Sequence, residues 1–166
     1  MVHQHDGRIF KTMGDGFLAE FALGAKAVQC SQALQHSMQS IERRSRNNTP
    51  LDVRIGVNEG DLYYQGEDVL GDCVNVASRL EGMAAPGGVL VSDDVYLGLD
   101  EELSEGFHDN GNRKFKNIPR PIRVWSWPEK LPPLREMTKP RVYVEAFSSR
   151  GRVLEIDADQ THCRRC

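Results

Sequence analysis

At 166 residues with a net charge of −3, the chain is long enough for one domain with its own core, and it carries no electrostatic footprint for nucleic acid or an anionic membrane surface. No apolar run approaches a membrane span, and the start MVHQHDGRIF lacks the basic and apolar regions of a signal peptide, so the sequence reads as cytoplasmic. Four cysteines, Cys30, Cys73, Cys163 and Cys166, are too few and too scattered for a disulfide scaffold; Cys30 and Cys73 fall in helical patterns and read as small buried hydrophobes.

Residues 7–21 hold two short alternating runs, RIFKTM and FLAEF, joined by Gly14, Asp15 and Gly16. This pattern predicts a β-hairpin with Asp15 at its tip. Lys11 lies four residues before Asp15 on the incoming strand, where residues two and four apart point the same way. Taken alone, the two read as a turn former and a surface lysine. From residue 22 to about 46, Leu23, Ala27, Cys30, Leu34, Met38 and Ile41 recur at steps of three and four, with Lys26, Gln29, Gln32, Gln35 and Gln39 off that stripe. An amphipathic helix packed on a sheet follows, closed by the polar cluster SRNNTP.

Residues 51–64 predict an alternating strand, a polar turn at Asn58, Glu59 and Gly60, and a short second strand, hence a second hairpin. Gly66 to Leu70 then reads as a loop delivering Asp68 to a helix that runs to about Met83, where Ala85, Pro86 and Gly87 stop it. Asp72 is the expected N-cap of that helix. Val74, Ala77 and Ser78 can face a core, while Asn75 and Arg79, at i and i+4, share one face. A neutral amide and a guanidinium side by side, with a carboxylate just ahead, suit a polyanionic ligand that carries a hydrogen-bonding base.

Residues 88–92, GVLVS, predict a short buried strand, and Asp93 or Asp94 can cap a brief helix through Leu99. RKFKNI and PIRVWSW, with prolines between, predict strands at a sheet margin, Lys114 and Lys116 pointing to one side as edge lysines do. After Trp127 the composition shifts to a linker, PEKLPPLREMTKP, followed by RVYVEAF as a strand and a polar end. The CxxC of HCRRC lacks the second ligand pair that a structural zinc site needs.

Together, the blocks KTMGDGFLAEF, RIGVNEGD, GDCVNVASRLE, PGGVLVS and KNIPRPIRVW, in this order over residues 7–127, resemble the catalytic domain of the class III nucleotidyl cyclases, in the bacterial adenylate cyclase branch. The resemblance implies an α+β fold, a ferredoxin-like, palm-like antiparallel sheet with helices, over residues 1–127, with 128–166 as linker and unassigned tail. It implies conversion of ATP to 3′,5′-cyclic AMP and pyrophosphate. Lys11 and Asp68 match the residues that select adenine, whose edge needs one donor and one acceptor. Asn75 matches the residue that orients the ribose, Arg79 the one that stabilises the transition state, and Lys116 the one that holds the triphosphate. Asp15 matches one of two aspartates that bind a pair of magnesium or manganese ions.

In one respect the sequence departs from the family. The family strand that carries the first metal aspartate, central in the sheet, has no counterpart in the fourteen residues ahead of Asp15, and Asp6 lies beside the hairpin rather than on a separate strand. Backbone groups at that place are therefore expected to lack partners. Because the family shares its sites between two subunits, the chain is expected to work as a homodimer or a heterodimer. It keeps the base, ribose and phosphate half of a site and part of the metal half. The alternative is a catalytically inactive, cyclase-like module that binds nucleotide or dimerises; a guanylate cyclase is opposed by Lys11 and Asp68.

Overall fold

In the computed structural model, residues 1–14, 16–44, 53–65, 68–128, 142–147 and 152–157 are described. The period-two runs of the sequence form one sheet. β1 (Gly7–Met13) and β2 (Gly16–Phe21) make the predicted antiparallel hairpin. β3 (Val53–Glu59) pairs in parallel with β6 (Val89–Ser92), and β6 pairs antiparallel with β8 (Ile122–Trp127), which pairs with β7 (His108–Arg113) at the edge. This is the expected α+β architecture, with a largely antiparallel sheet covered by helices.

Strand alternation gives the sheet two different faces. Val53, Ile55 and Val57 of β3, Ala19 and Phe21 of β2, and Val89 and Val91 of β6 face α1 (Gly24–Arg44) through its Ala27, Val28 and Cys30. Each buried aliphatic side chain of that cluster is worth roughly 1.5–3 kcal/mol. On the opposite face, Leu18, Leu90 and Val124 pack under α2 (Asp72–Met83) through Cys73, Ala77, Val76 and Leu80. The predicted stripe of α1 is buried only in its middle, since Leu23 and Ile41 are 48% and 57% exposed. Gln35, assigned to the polar side, is 2% exposed and donates to the carbonyls of Val53 and Gly88. A buried amide with two backbone acceptors ties the helix to the starts of β3 and β6 at little desolvation cost.

Several local expectations are corrected. The second hairpin joins β4 (Tyr63–Gln65) to β5 (Asp68–Leu70) in a separate two-stranded sheet, so β4 is not the partner of β3 and Asp68 stands on a strand rather than in a loop. Gly71, not Asp72, is the N-cap of α2; a Cβ there would stand 2.7 Å from the Asp61 carbonyl oxygen, which selects glycine and moves Asp72 into the first turn. Similarly, Ser92 precedes α3 (Asp93–Leu97), and Asp100 caps a further short helix, α4 (Glu101–Ser104), by accepting from the Leu103 amide. β7 ends at Arg113, the first residue of RKFKNI, so Lys114 and Lys116 lie in the connection to β8 and not on a strand.

The C-terminal part adds two strands, β9 (Val142–Phe147), at the place expected, and β10 (Arg152–Asp157), which pair antiparallel with each other. They lie between β2 and β3, with Leu154 of β10 in register with Ala19 and Val144 of β9 in register with Ile55. That is the middle of the sheet, where the sequence predicts missing backbone partners. The residues of HCRRC lie outside the described residues.

Candidate functional site

Three residues of β3 seat α2 on the sheet. The Arg54 guanidinium, 1% exposed, donates to the Ala84 carbonyl oxygen just past the end of the helix, where a cation also meets the negative end of the helix dipole. Gly56 brings the middle of the helix down, because a Cβ there would collide with the Ala77 carbonyl oxygen and the Glu81 backbone nitrogen. Asn58 donates to the Cys73 carbonyl oxygen at 3.2 Å near the helix start. None of the three is exposed, and their signal in the sequence is the alternation within RIGVN that places them opposite Val53, Ile55 and Val57.

Seated in this way, α2 buries Cys73, Val76, Ala77, Leu80 and Glu81 and presents Asp72, Asn75 and Arg79 to the outside. Val74 and Ser78, expected against the core, are half-buried. Asn75 and Arg79 lie one helical turn apart on the exposed face and make no side-chain hydrogen bond or ion pair among the described residues. An exposed arginine without an intramolecular anion keeps its full fork of donors for a ligand.

The other predicted site residues flank this helix to different degrees. Lys11 stands opposite Leu18, which packs on Cys73 and Ala77, so it shares the sheet face of α2. Asp68 sits on β5, three residues before the N-cap Gly71, so its strand leads directly into the helix. Lys116 is exposed in a connection whose Phe115 and Ile118 pack on the cluster of Val76, Leu80 and Ala84, placing that connection along the C-terminal half of α2. Lys11 and Lys116 therefore belong to strands or connections at opposite edges of the sheet, with α2 spanning the ground between them. Asp15 lies outside the described residues. Among the described residues, no three or more His, Cys, Asp or Glu side chains are grouped so as to hold a metal ion.

A cleft of about 360 Å³ opens on the other side of the helix start. Glu59, Asp61, Asp72 and Asp94 line it beside Tyr63 and Ile122, and its wall contains none of Lys11, Asn75, Arg79 or Lys116. Without cations to bridge them, these four carboxylates repel a polyphosphate. The cationic and amide groups instead occupy an open face, which needs a second surface opposite it to exclude water. Cys73, at the cleft wall, donates Sγ to the Asp61 carbonyl oxygen at 3.0 Å, and burial raises its pKa to about 11.

The Adenylate and Guanylate cyclase catalytic domain family matches residues 1–120, and the chain belongs to that family, with the class III fold. A Rhizobium meliloti (strain 1021) protein provisionally named adenylate cyclase 3 is 41% identical over 130 residues, covering 78% of this chain and 22% of its own length. The pH-sensitive adenylate cyclase of Mycobacterium tuberculosis (strain CDC 1551 / Oshkosh) is 39% identical over 82 residues, which is 48% of this chain and 20% of that protein. The crystal structure of an adenylate/guanylate cyclase/hydrolase from Silicibacter pomeroyi matches with a TM-score of 0.70 and 44% identity, covering 76% of this chain and 75% of that one. The chain thus spans about a fifth of the two sequence relatives' length. No helix among the described residues is long and apolar enough to cross a membrane.

Proposed function

We propose that residues 1–127 act as an adenylate cyclase domain that converts ATP to 3′,5′-cyclic AMP and pyrophosphate in a site shared with a second cyclase subunit, identical or not, with residues 128–166 following the catalytic part. The observation that carries this reading is the exposed pair Asn75 and Arg79, without intramolecular partners among the described residues, on the sheet face that also holds Lys11. Lys11 and Asp68 read the adenine edge as donor and acceptor. Asn75 orients the ribose so that its 3′ hydroxyl faces the α-phosphorus, Lys116 holds the triphosphate, and Arg79 meets the charge that grows on the phosphate oxygens. The new O–P bond forms as the bond to the β-phosphate oxygen breaks, pyrophosphate leaves, and the hydroxyl proton is released.

Such a step depends on alignment and on cations placed where charge accumulates, more than on covalent help from the protein. Class III cyclases use magnesium or manganese, and when bound such a pair supplies positive charge at the phosphates. Asp15 offers one hard carboxylate ligand of the kind these ions take, and the described residues offer no complete site.

The second reading is a cyclase-like module that binds nucleotide or dimerises without turnover. Turnover of ATP and GTP by the chain and by Lys11→Glu separates the readings. ATP preferred by the wild type, with preference moving toward GTP in the variant, supports the cyclase; GTP preferred by the wild type overturns the adenine assignment, and binding without product supports the module.

A further inference from the structure

The acidic cleft beside the start of α2 has a polar floor. Asn58 of β3 and Ile122 of β8 line it, together with Asp94 from the first turn of α3. β6 runs between β3 and β8. Its register with β3, Gly56 with Leu90 and Val57 with Val91, continues so as to set Ser92 beside Asn58, and its register with β8 sets Ser92 opposite Val124. Leu90 and Val124 pack under α2, and Ser92, two residues on from Leu90, faces the same way. Asn58 and Ser92 therefore stand side by side at the base of the cleft.

Both side chains are almost wholly buried, at 5% and 2% exposure, and both keep a polar atom without a partner among the described residues. Ser92 Oγ makes no hydrogen bond, and Ser92 precedes α3 without capping it. Asn58 donates its amide nitrogen to the Cys73 carbonyl oxygen, but its Oδ1 accepts from no described group. A buried polar atom in that state is costly, which favours any donor that reaches it.

Above this floor the exposed carboxylates of Asp61, Asp72 and Asp94 meet no cation among the described residues, and Glu59 adds a fourth. Val76 and Ile122 supply an apolar stretch of wall, and Tyr63 an exposed aromatic ring. The acidic groups are too dispersed to close on one metal ion. They suit a ligand whose positive charges are separated along an apolar stem, with N–H donors for the two orphan oxygens and a cationic end that can lie on a ring face. At about 360 Å³ the cleft has the size of a small-molecule site. We propose that it binds a linear alkyl diammonium compound, with one ammonium at the floor between Asn58 and Ser92 and the other among the carboxylates of the rim. The site shares no residue with Lys11, Asn75, Arg79 and Lys116, so it stands whether or not the chain turns over ATP.

The test is calorimetric titration of the full chain, at fixed ionic strength, with 1,4-diaminobutane, 1-aminobutane, 1,4-butanediol and magnesium chloride. The diamine is expected to bind at least about tenfold more tightly than the monoamine, the diol not at all, and magnesium more weakly than the diamine. Asp61→Asn/Asp94→Asn, at two exposed positions, should lower diamine affinity about tenfold or more. Ser92→Ala should lower it about threefold with no loss in the urea midpoint, because the hydroxyl it removes holds nothing in the free protein. Diamine that fails to bind at about 10 mM, magnesium that binds more tightly than the diamine, or wild-type affinity in either variant would overturn the proposal. If Asp61→Asn/Asp94→Asn does not fold, Asp94→Asn alone carries the same expectation, at about threefold, and the same refutation.

Discussion

The Arg54 guanidinium donates to the Ala84 carbonyl oxygen at 2.8 Å, tying the third strand to the end of the helix that carries Asn75 and Arg79. With Gly56 under the middle of that helix and Asn58 near its start, one face of one strand sets the height and angle of the exposed pair. The site is therefore sensitive to residues that never reach solvent.

Gly56→Ala is the sharpest probe of that seat. The added Cβ meets backbone atoms of Ala77 and Glu81, which have no rotamer by which to give way. A loss of about 3 kcal/mol in urea unfolding is expected, typical of overpacking in a tight core. An unchanged midpoint would show that the helix is free to lift.

Asn75→Ala and Arg79→Ala should behave in the opposite way. Both residues are exposed and bond to no described side chain, so unfolding free energy should stay within about 0.5 kcal/mol of wild type. Cyclic AMP formation in an active assembly should fall about 10²- to 10³-fold for Arg79→Ala, the scale of losing one preorganised charge stabiliser. Parallel loss of stability and activity would instead mark Arg79 as structural.

Alkaline pH gives a separate check on the core. Burial raises the thiols of Cys30 and Cys73 from 9.0 to about 11. In the unfolded chain they ionise first, so the stability they lend is complete below pH 9 and is lost as pH rises toward about 11. At pH 8 roughly one thiol in a thousand is ionised, and alkylation of the native protein should be slow until it unfolds. Stability that stays flat from pH 8.5 to 10.5 in wild type, and matches Cys30→Ala/Cys73→Ala in slope, would contradict buried, protonated thiols.

The strands of the C-terminal part predict their own consequence. Leu154 lies in register with Ala19, and a proline there removes a donor between two neighbouring strands. Leu154→Pro is expected to speed amide hydrogen exchange in Gly16–Phe21 and Val53–Glu59 by about a hundredfold, the equivalent of roughly 3 kcal/mol of local protection. Unaltered exchange in both strands would mean that β10 lends them nothing.

Strong periodicity made much of the fold legible from the sequence. The alternation of FLAEF and GVLVS and the long amphipathic helix correspond to observed elements, because each satisfies its local backbone preference and its burial pattern together. The pair Asn75 and Arg79 was legible for the same reason, as helical spacing alone puts them on one exposed face.

What sequence reasoning missed depends on tertiary contacts. Gln35 looks polar and solvated until the carbonyls of Val53 and Gly88 are brought to it, and Gly71 replaces Asp72 as cap because the Asp61 backbone passes close by. The register shift between Ile9 and Lys11 is invisible in RIFKTM, whose alternation predicts a regular strand. β10 went unread because Arg152, Glu155 and Asp157 interrupt its apolar pattern.

The central claim, that the α2 face supplies one half of a shared cyclase site, is tested most directly by complementation. The chain is mixed with a full-length cyclase partner in which the equivalents of Asn75 and Arg79 are replaced by alanine, mixed dimers are confirmed by two-tag purification, and cyclic AMP formation from ATP is measured. The account predicts activity in the mixed dimer that neither protein shows alone and that disappears when this chain carries Arg79→Ala. Confirmed mixed dimers that make no cyclic AMP would contradict it.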